Sequence, residues 1–301
     1  MKPTHRFDIA ASVRARLLTR AKERGEDFQL TLVRYAIERF LYRLGKSGYR
    51  DTFVLKGAML FALWSAEPFR ATGDLDLLGL GSPSERRVKA MVLDVAAMSV
   101  EADGVAFDVS QLRLEEMQAQ DEYKGVRLSF LARIGNVRIP MKVDVGFGDV
   151  VTPAPVDLEY PAMLDLPRAN VRAYPVETVV AEKFQAMVEL GIRNSRMKDF
   201  FDLWAIALTM ELDGASLAAA IKSTFASRDT KPPLTRPLAL TAEFIDDSSK
   251  QTQWAAFVRR MTTTLTPASL QQTVECVAQF VMPAAMGEAI GKRWRVGGPW
   301  A

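Results

Sequence analysis

Asp74-Leu75-Asp76 is the strongest chemical signal in the chain. Residues i and i+2 of a strand share a face, so both carboxylates point the same way. Two neighbouring carboxylates repel, which raises one pKa or demands a cation. Oxygen ligands of this kind suit Mg²⁺, which takes one or two carboxylates together with substrate phosphates and water. Asp144 lies on a later alternating stretch, opposite in phase to Val143 and Val145, and supplies a third acid. Two metal ions clamped by three acids would activate an attacking oxygen and stabilise a pyrophosphate leaving group. Lys56-Gly57 follows an apolar run and opens a helical stretch, where glycine lets backbone N–H groups approach a phosphate. Arg70 and Thr72, just before Asp74, add donors for a triphosphate.

A second set of polar residues falls on helical sequence. Lys183 sits among Val179, Val180, Phe184 and Met187. Lys198 and Asp202 stand at i, i+4, and Asp199 and Asp202 at i, i+3, so each pair shares a helix face. A solvated ion pair there would contribute a few tenths of a kcal/mol. The crowding of Phe200, Phe201, Leu203 and Trp204 leaves little of that helix for solvent.

The elements that must hold these residues follow from periodicity. Residues 27–44 repeat apolar positions at helical spacing, and Thr52 to Leu55 forms a short buried strand. Ala58 to Ser65 is helical and Asp74 to Leu78 alternates as a strand. Ser82-Pro83-Ser84-Glu85 has capping-box spacing with proline at the first helical position. Alternation from Val126 to Ile134 and from Val137 to Val145, with Gly135-Asn136 between, predicts a hairpin. Beyond residue 161, helices are expected at 176–190, 195–209, 215–226, 250–264 and 267–281, with 228–250 loop-like over much of its length. The expected fold is mixed α/β (α+β): an α/β domain over residues 1–160 and a helical domain over 161–301.

Composition narrows the chemistry. Of 301 residues 49% are hydrophobic and 25% charged, enough for two cores. Cys276 is the only cysteine and His5 the only histidine. This excludes an intrachain disulfide and a thiolate metal site, and leaves carboxylates, lysines, arginines and hydroxyls to do any catalysis. No apolar run approaches the ~20 residues of a membrane helix, and the start lacks the apolar run of a secretory signal, so a cytoplasmic protein is expected. Residues 1–50 carry 12 Lys/Arg against 5 Asp/Glu, while 51–160 carry 11 against 17. The basic leading segment suits a polyanion such as RNA, or equally a solvated helix surface.

Five motifs in order resemble the AbiEii/AbiGii nucleotidyltransferase toxin family. They are Lys56-Gly57, Arg70-Ala71-Thr72-Gly73-Asp74-Leu75-Asp76, Lys142 to Asp149, Glu182-Lys183-Phe184-Gln185-Ala186, and Arg196-Met197-Lys198-Asp199-Phe200-Phe201-Asp202. The resemblance implies a DNA-polymerase-β-like nucleotidyltransferase domain joined to a helical domain, with the active site between them. It implies Mg²⁺ (or Mn²⁺) on Asp74, Asp76 and Asp144, an NTP as substrate, and Lys183, Lys198 and Asp202 facing the nucleotide from the helical side. It further implies an RNA acceptor such as a tRNA 3′ end, a role as toxin in a toxin–antitoxin or phage-defence pair, and a winged-helix antitoxin as partner. Ala58 departs from the pattern, standing where the family commonly has glycine or serine, so a serine contact to phosphate is missing. Two alternatives remain open: transfer to a small molecule or protein hydroxyl, and a catalytically weak module that binds RNA or a partner.

Overall fold

The computed structural model describes residues 8–64, 72–118, 124–261 and 265–301. The chain forms two compact units, one of residues 1–148 with 156–173 and the other of 149–155 with 174–301.

The first unit begins with two helices, α1 (Ile9–Arg24) and α2 (Phe28–Lys46). Asp8 and Asp27 cap them, each carboxylate accepting a backbone N–H of the first turn. Then follow β1 (Phe53–Lys56), a 3-10 turn at Gly57–Leu60, α3 (Phe61–Trp64), β2 (Leu75–Gly79) and α4 (Glu85–Ala97). The remaining strands are β3 (Ala106–Gln118), β4 (Lys124–Ile134), β5 (Val137–Phe147), β6 (Val156–Tyr160) and β7 (Ala169–Ala173). The helix α4 starts two residues later than its sequence suggests, at Glu85 rather than Pro83. Ser84 is the N-cap, accepting from the Arg87 N–H, and Pro83 lies outside the helix rather than in its first turn.

Seven strands form one mixed sheet in the order β3-β4-β5-β2-β1-β7-β6. β2 runs parallel to β5 and β1 parallel to β7; the other pairs are antiparallel. The predicted hairpin is present, with Ile134 opposite Val137 and Gly135 in the left-handed region at φ 58°. Leu75, Leu77, Val143 and Val145 are fully buried, so one sheet face is apolar, as their alternation requires. Helices α2 and α4 contact the sheet. Because β7 pairs with both β6 and β1, the segment 156–173 stays with the sheet although it crosses the division at 160 expected from sequence.

The basic leading segment is not uniformly solvated. Arg14, Arg16, Lys22 and Arg24 of α1 are exposed. Arg39 and Arg43 of α2 are buried at 1% and 5% exposure. Arg43 grips Asp103 at 2.6 Å, and Arg39 pairs with Glu38 at 2.9 Å. These two cations hold the fold, whereas the α1 set and Lys46 at the end of α2 are exposed among the described residues.

The second unit holds α5 (Val176–Leu190), a 3-10 turn at Gly191–Arg193, α6 (Met197–Thr209), β8 (Leu212–Asp213) and α7 (Gly214–Ser227). It continues with a 3-10 turn at Leu238–Leu240, α8 (Ala242–Asp246), α9 (Ser248–Val258), α10 (Leu270–Ala285) and β9 (Arg293–Trp294), which pairs with β8. Four of the five expected helices end within a few residues of their predicted bounds; α9 stops at Val258, short of 264. The stretch 228–250 contains one 3-10 turn and α8, formed where Phe244 and Ile245 are buried. Phe184 packs on Phe225 and Phe200 stacks on Phe244, with centroids 5.5 and 5.1 Å apart.

Candidate active site

The register of four strands brings three of the predicted polar residues and one further residue, Arg127, into one row. Lys56 of β1 is opposite Asp76 of β2, Asp76 is beside Asp144 of β5, and Asp144 is opposite Arg127 of β4. Partners in register share a face, so these side chains project from the side of the sheet opposite Leu75, Leu77, Val143 and Val145. Asp74, just before β2, is half-buried on the same phase. Lys142, two residues before Asp144, shares its face and is exposed.

Gly57 is required by this row. Its φ is 74°, and a Cβ there would run into the carboxylate of Asp76. The glycine therefore both turns the chain out of β1 and leaves room for the acid. It opens a 3-10 turn followed by α3, whose described residues reach Trp64, with Ala58 buried. Thr72 is half-buried, and Arg70 lies outside the described residues.

Arg127 was not among the residues picked out by sequence. Its Nε donates to one oxygen of Asp144 at 2.8 Å and its Nη2 to the other at 2.6 Å, a two-pronged pair. Hydrogen bonding to Asp144, then its charge, holds the guanidinium protonated beyond its ordinary range, with smaller help from Asp74 and Glu115. Its signal in the sequence was phase: Arg127 alternates with the buried Val126 and Leu128 and so had to share the acids' face.

The acids fit a hard divalent cation in donor chemistry, since Asp76 and Asp144 offer oxygen from adjacent strands and Mg²⁺ completes its shell with phosphate and water. Among the described residues no three acidic, histidine or cysteine side chains are gathered about one point as they stand. Asp144 meets Arg127 instead.

In the helical unit Lys183 of α5 bridges two acids of α6. Its Nζ donates to Asp199 Oδ1 at 2.7 Å and to Asp202 Oδ2 at 2.8 Å. Both aspartates have no residue exposure. Arg196 Nε lies 2.6 Å from Asp199 Oδ2. Burial alone pushes the Asp199 carboxyl up, but Lys183, Arg196 and Lys198 together outweigh it and hold it below its ordinary value. Lys198 is exposed and Asp202 buried, so the lysine that meets Asp202 comes from α5, not from the i, i+4 position. Asp199 is the residue that sequence undervalued; its pairing across helices has no local signature.

No curated protein matches the chain. Two solved structures resemble it weakly. One is JHP933 from Helicobacter pylori, 14% identical, covering 87% of this chain and 96% of that one with a TM-score of 0.49. The other, from the same bacterium, is provisionally assigned as a nucleotidyltransferase and is 13% identical over the same shares, at 0.46. The family model described as nucleotidyl transferase AbiEii toxin, type IV toxin–antitoxin system, matches residues 39–276, which span the acid row of the sheet and the Lys183 cluster alike. The chain belongs to the AbiEii nucleotidyltransferase toxin family.

Proposed function

We propose that the protein moves a nucleoside monophosphate from an NTP to an RNA hydroxyl, such as a tRNA 3′ end, in the presence of Mg²⁺ or Mn²⁺. The acceptor hydroxyl gives up its proton to water as its oxygen bonds to the α-phosphorus, the bond from the α-phosphorus to the α–β bridging oxygen breaks, and pyrophosphate leaves. The observation that carries this reading is the in-register placement of Asp76 beside Asp144, with Asp74 on the same phase, in a chain of the AbiEii family.

Asp74, Asp76 and Asp144 are assigned to hold the divalent ion, which when bound supplies positive charge to the attacking oxygen and the leaving group. Lys56, Gly57 and Thr72, with Arg70, are assigned to the phosphates. Gly57 serves by keeping the backbone close to Asp76 without a side chain. In the helical unit Lys183 and Lys198 are assigned to the nucleotide. Asp202, with Asp199, fixes the Lys183 ammonium in place. Family membership also supports a cognate antitoxin as partner, and a winged-helix regulator is our expectation for it. No helix among the described residues is long and apolar enough to cross a membrane.

Incubation of the purified protein with each labelled NTP, Mg²⁺ and total RNA tests the proposal. Label should pass to RNA from at least one NTP and fall at least about a hundredfold with Asp76→Ala, as expected when charge stabilisation in the transition state is removed. Label on small molecules or protein with RNA unlabelled, or undiminished transfer by Asp76→Ala, would overturn it.

A further inference from the structure

Arg127 sits between two carboxylates in the same row. Asp144 is its register partner on β5 and Glu115 its register partner on β3. It grips Asp144 through both nitrogens, while Glu115 is exposed on the other side. Arg127 is itself 36% exposed along its side chain and Asp144 only 13%, so the arginine has room to move and the aspartate little. A carboxylate whose two oxygens each accept from one guanidinium is charge-compensated and a poor ligand for a second cation.

We infer that Arg127 is a two-position latch on the acid row, closed on Asp144 when no divalent ion is bound and swung toward Glu115 when one is. The inference rests on the assignment of Asp144 to the metal made above. Arg127 is in this scheme a positioning residue: it sets the availability of Asp144 and does not touch the reacting atoms. Competition between guanidinium and metal for one carboxylate makes metal binding report the latch directly. An ion can shift the arginine only by as much as its affinity differs between the two positions.

The test is Mn²⁺ titration of the full chain without nucleotide, followed by the electron-spin signal of free Mn²⁺, for wild type, Arg127→Met, Glu115→Gln and the double variant. Circular dichroism checks that each is folded. Arg127→Met should tighten Mn²⁺ binding about fivefold, because the competitor is gone. Glu115→Gln should weaken it about twofold by removing the second resting place, and should have no effect in the Arg127→Met background. Unchanged or weaker binding by Arg127→Met overturns the latch, as does a Glu115→Gln effect that persists without Arg127. Asp76→Asn separates the two readings. If it abolishes Mn²⁺ binding while Arg127→Met leaves binding unaltered, the metal assignment stands and the latch falls. If no variant and no wild type binds Mn²⁺, both fall.

Discussion

The consequences at the scale of single residues are sharpest for Lys183. Two aspartates with no residue exposure face its ammonium, one across each of two hydrogen bonds. Replacing Lys183 with Met leaves both acids without this cation in a buried setting, and the expected loss of stability is about 3–5 kcal/mol. Urea unfolding followed by tryptophan fluorescence measures it; a loss below about 1 kcal/mol would show that Arg196 and solvent compensate the acids alone. Asp199 adds a pH dependence of defined sign. Its folded pKa is lowered, so its contribution is present above the unfolded carboxylate value and is lost as pH falls through the folded one. How much of this was legible varied by residue. That Asp76 and Asp144 lie on one face, with Asp74 in the same phase, was readable from strand alternation. The parts of Arg127 and Asp199 were not, because what distinguishes them is a partner on another element, and register between strands or helices is not written in any local spacing.

At the scale of elements, α2 is tied to the connection between β6 and β7 by a buried acid. Glu38 accepts from the Met163 backbone N–H at 2.7 Å, and Arg39 donates to the Pro167 carbonyl at 2.8 Å. Burial lifts the Glu38 carboxyl to about 7, against the opposing pull of Arg39 and the Met163 N–H. A raised acid binds its proton more readily in the folded chain than in the unfolded one. Stability should therefore fall as pH rises from the ordinary carboxylate range to about 7, by roughly 3 kcal/mol in all if this group acts alone. Glu38→Gln keeps an acceptor for Met163 and should flatten that slope; thermal melts between pH 4.5 and 8 decide it. An unchanged slope would mean that Arg39 keeps Glu38 ionised throughout. The helix periods were readable because apolar spacing alone sets them. The long edge strand β3 was not, since its exposed Ser110, Gln111, Arg113, Glu115 and Glu116 give no clean alternation. The start of α4 shifted because Ser84 has the extended backbone that a cap requires and its side chain accepts from the Arg87 N–H.

At the scale of the whole molecule, the chain leaves the sheet unit at residue 148, returns at 156 and leaves again after 173. The second visit contributes β6 and β7, and β7 pairs with β1, the strand that ends at Lys56. A fragment of residues 1–173 should keep a cooperative thermal transition by circular dichroism. A fragment of 1–160 lacks β7 and should lose it, because β1 would then be an edge strand paired only with β2 and Gly45 of α2 would lose the Asn170 backbone that it packs against. Equal melting of the two would show that β7 adds nothing to the sheet's integrity. A two-part, α/β-then-helical organisation was legible in the change of periodicity near 161. The return crossing was not, because parallel pairing of β7 with β1 joins residues more than a hundred positions apart.

Gly57 and Asp76 occupy one volume between them: a methyl group at the first has no place while the acid keeps its position at the second. Their inheritance is thereby coupled in one direction. A lineage can lose Asp76 and retain Gly57 without strain, but it cannot gain a side chain at 57 and keep the acid row undisturbed. Any residue larger than glycine at position 57 therefore requires the Asp76 side chain to leave the position it holds here.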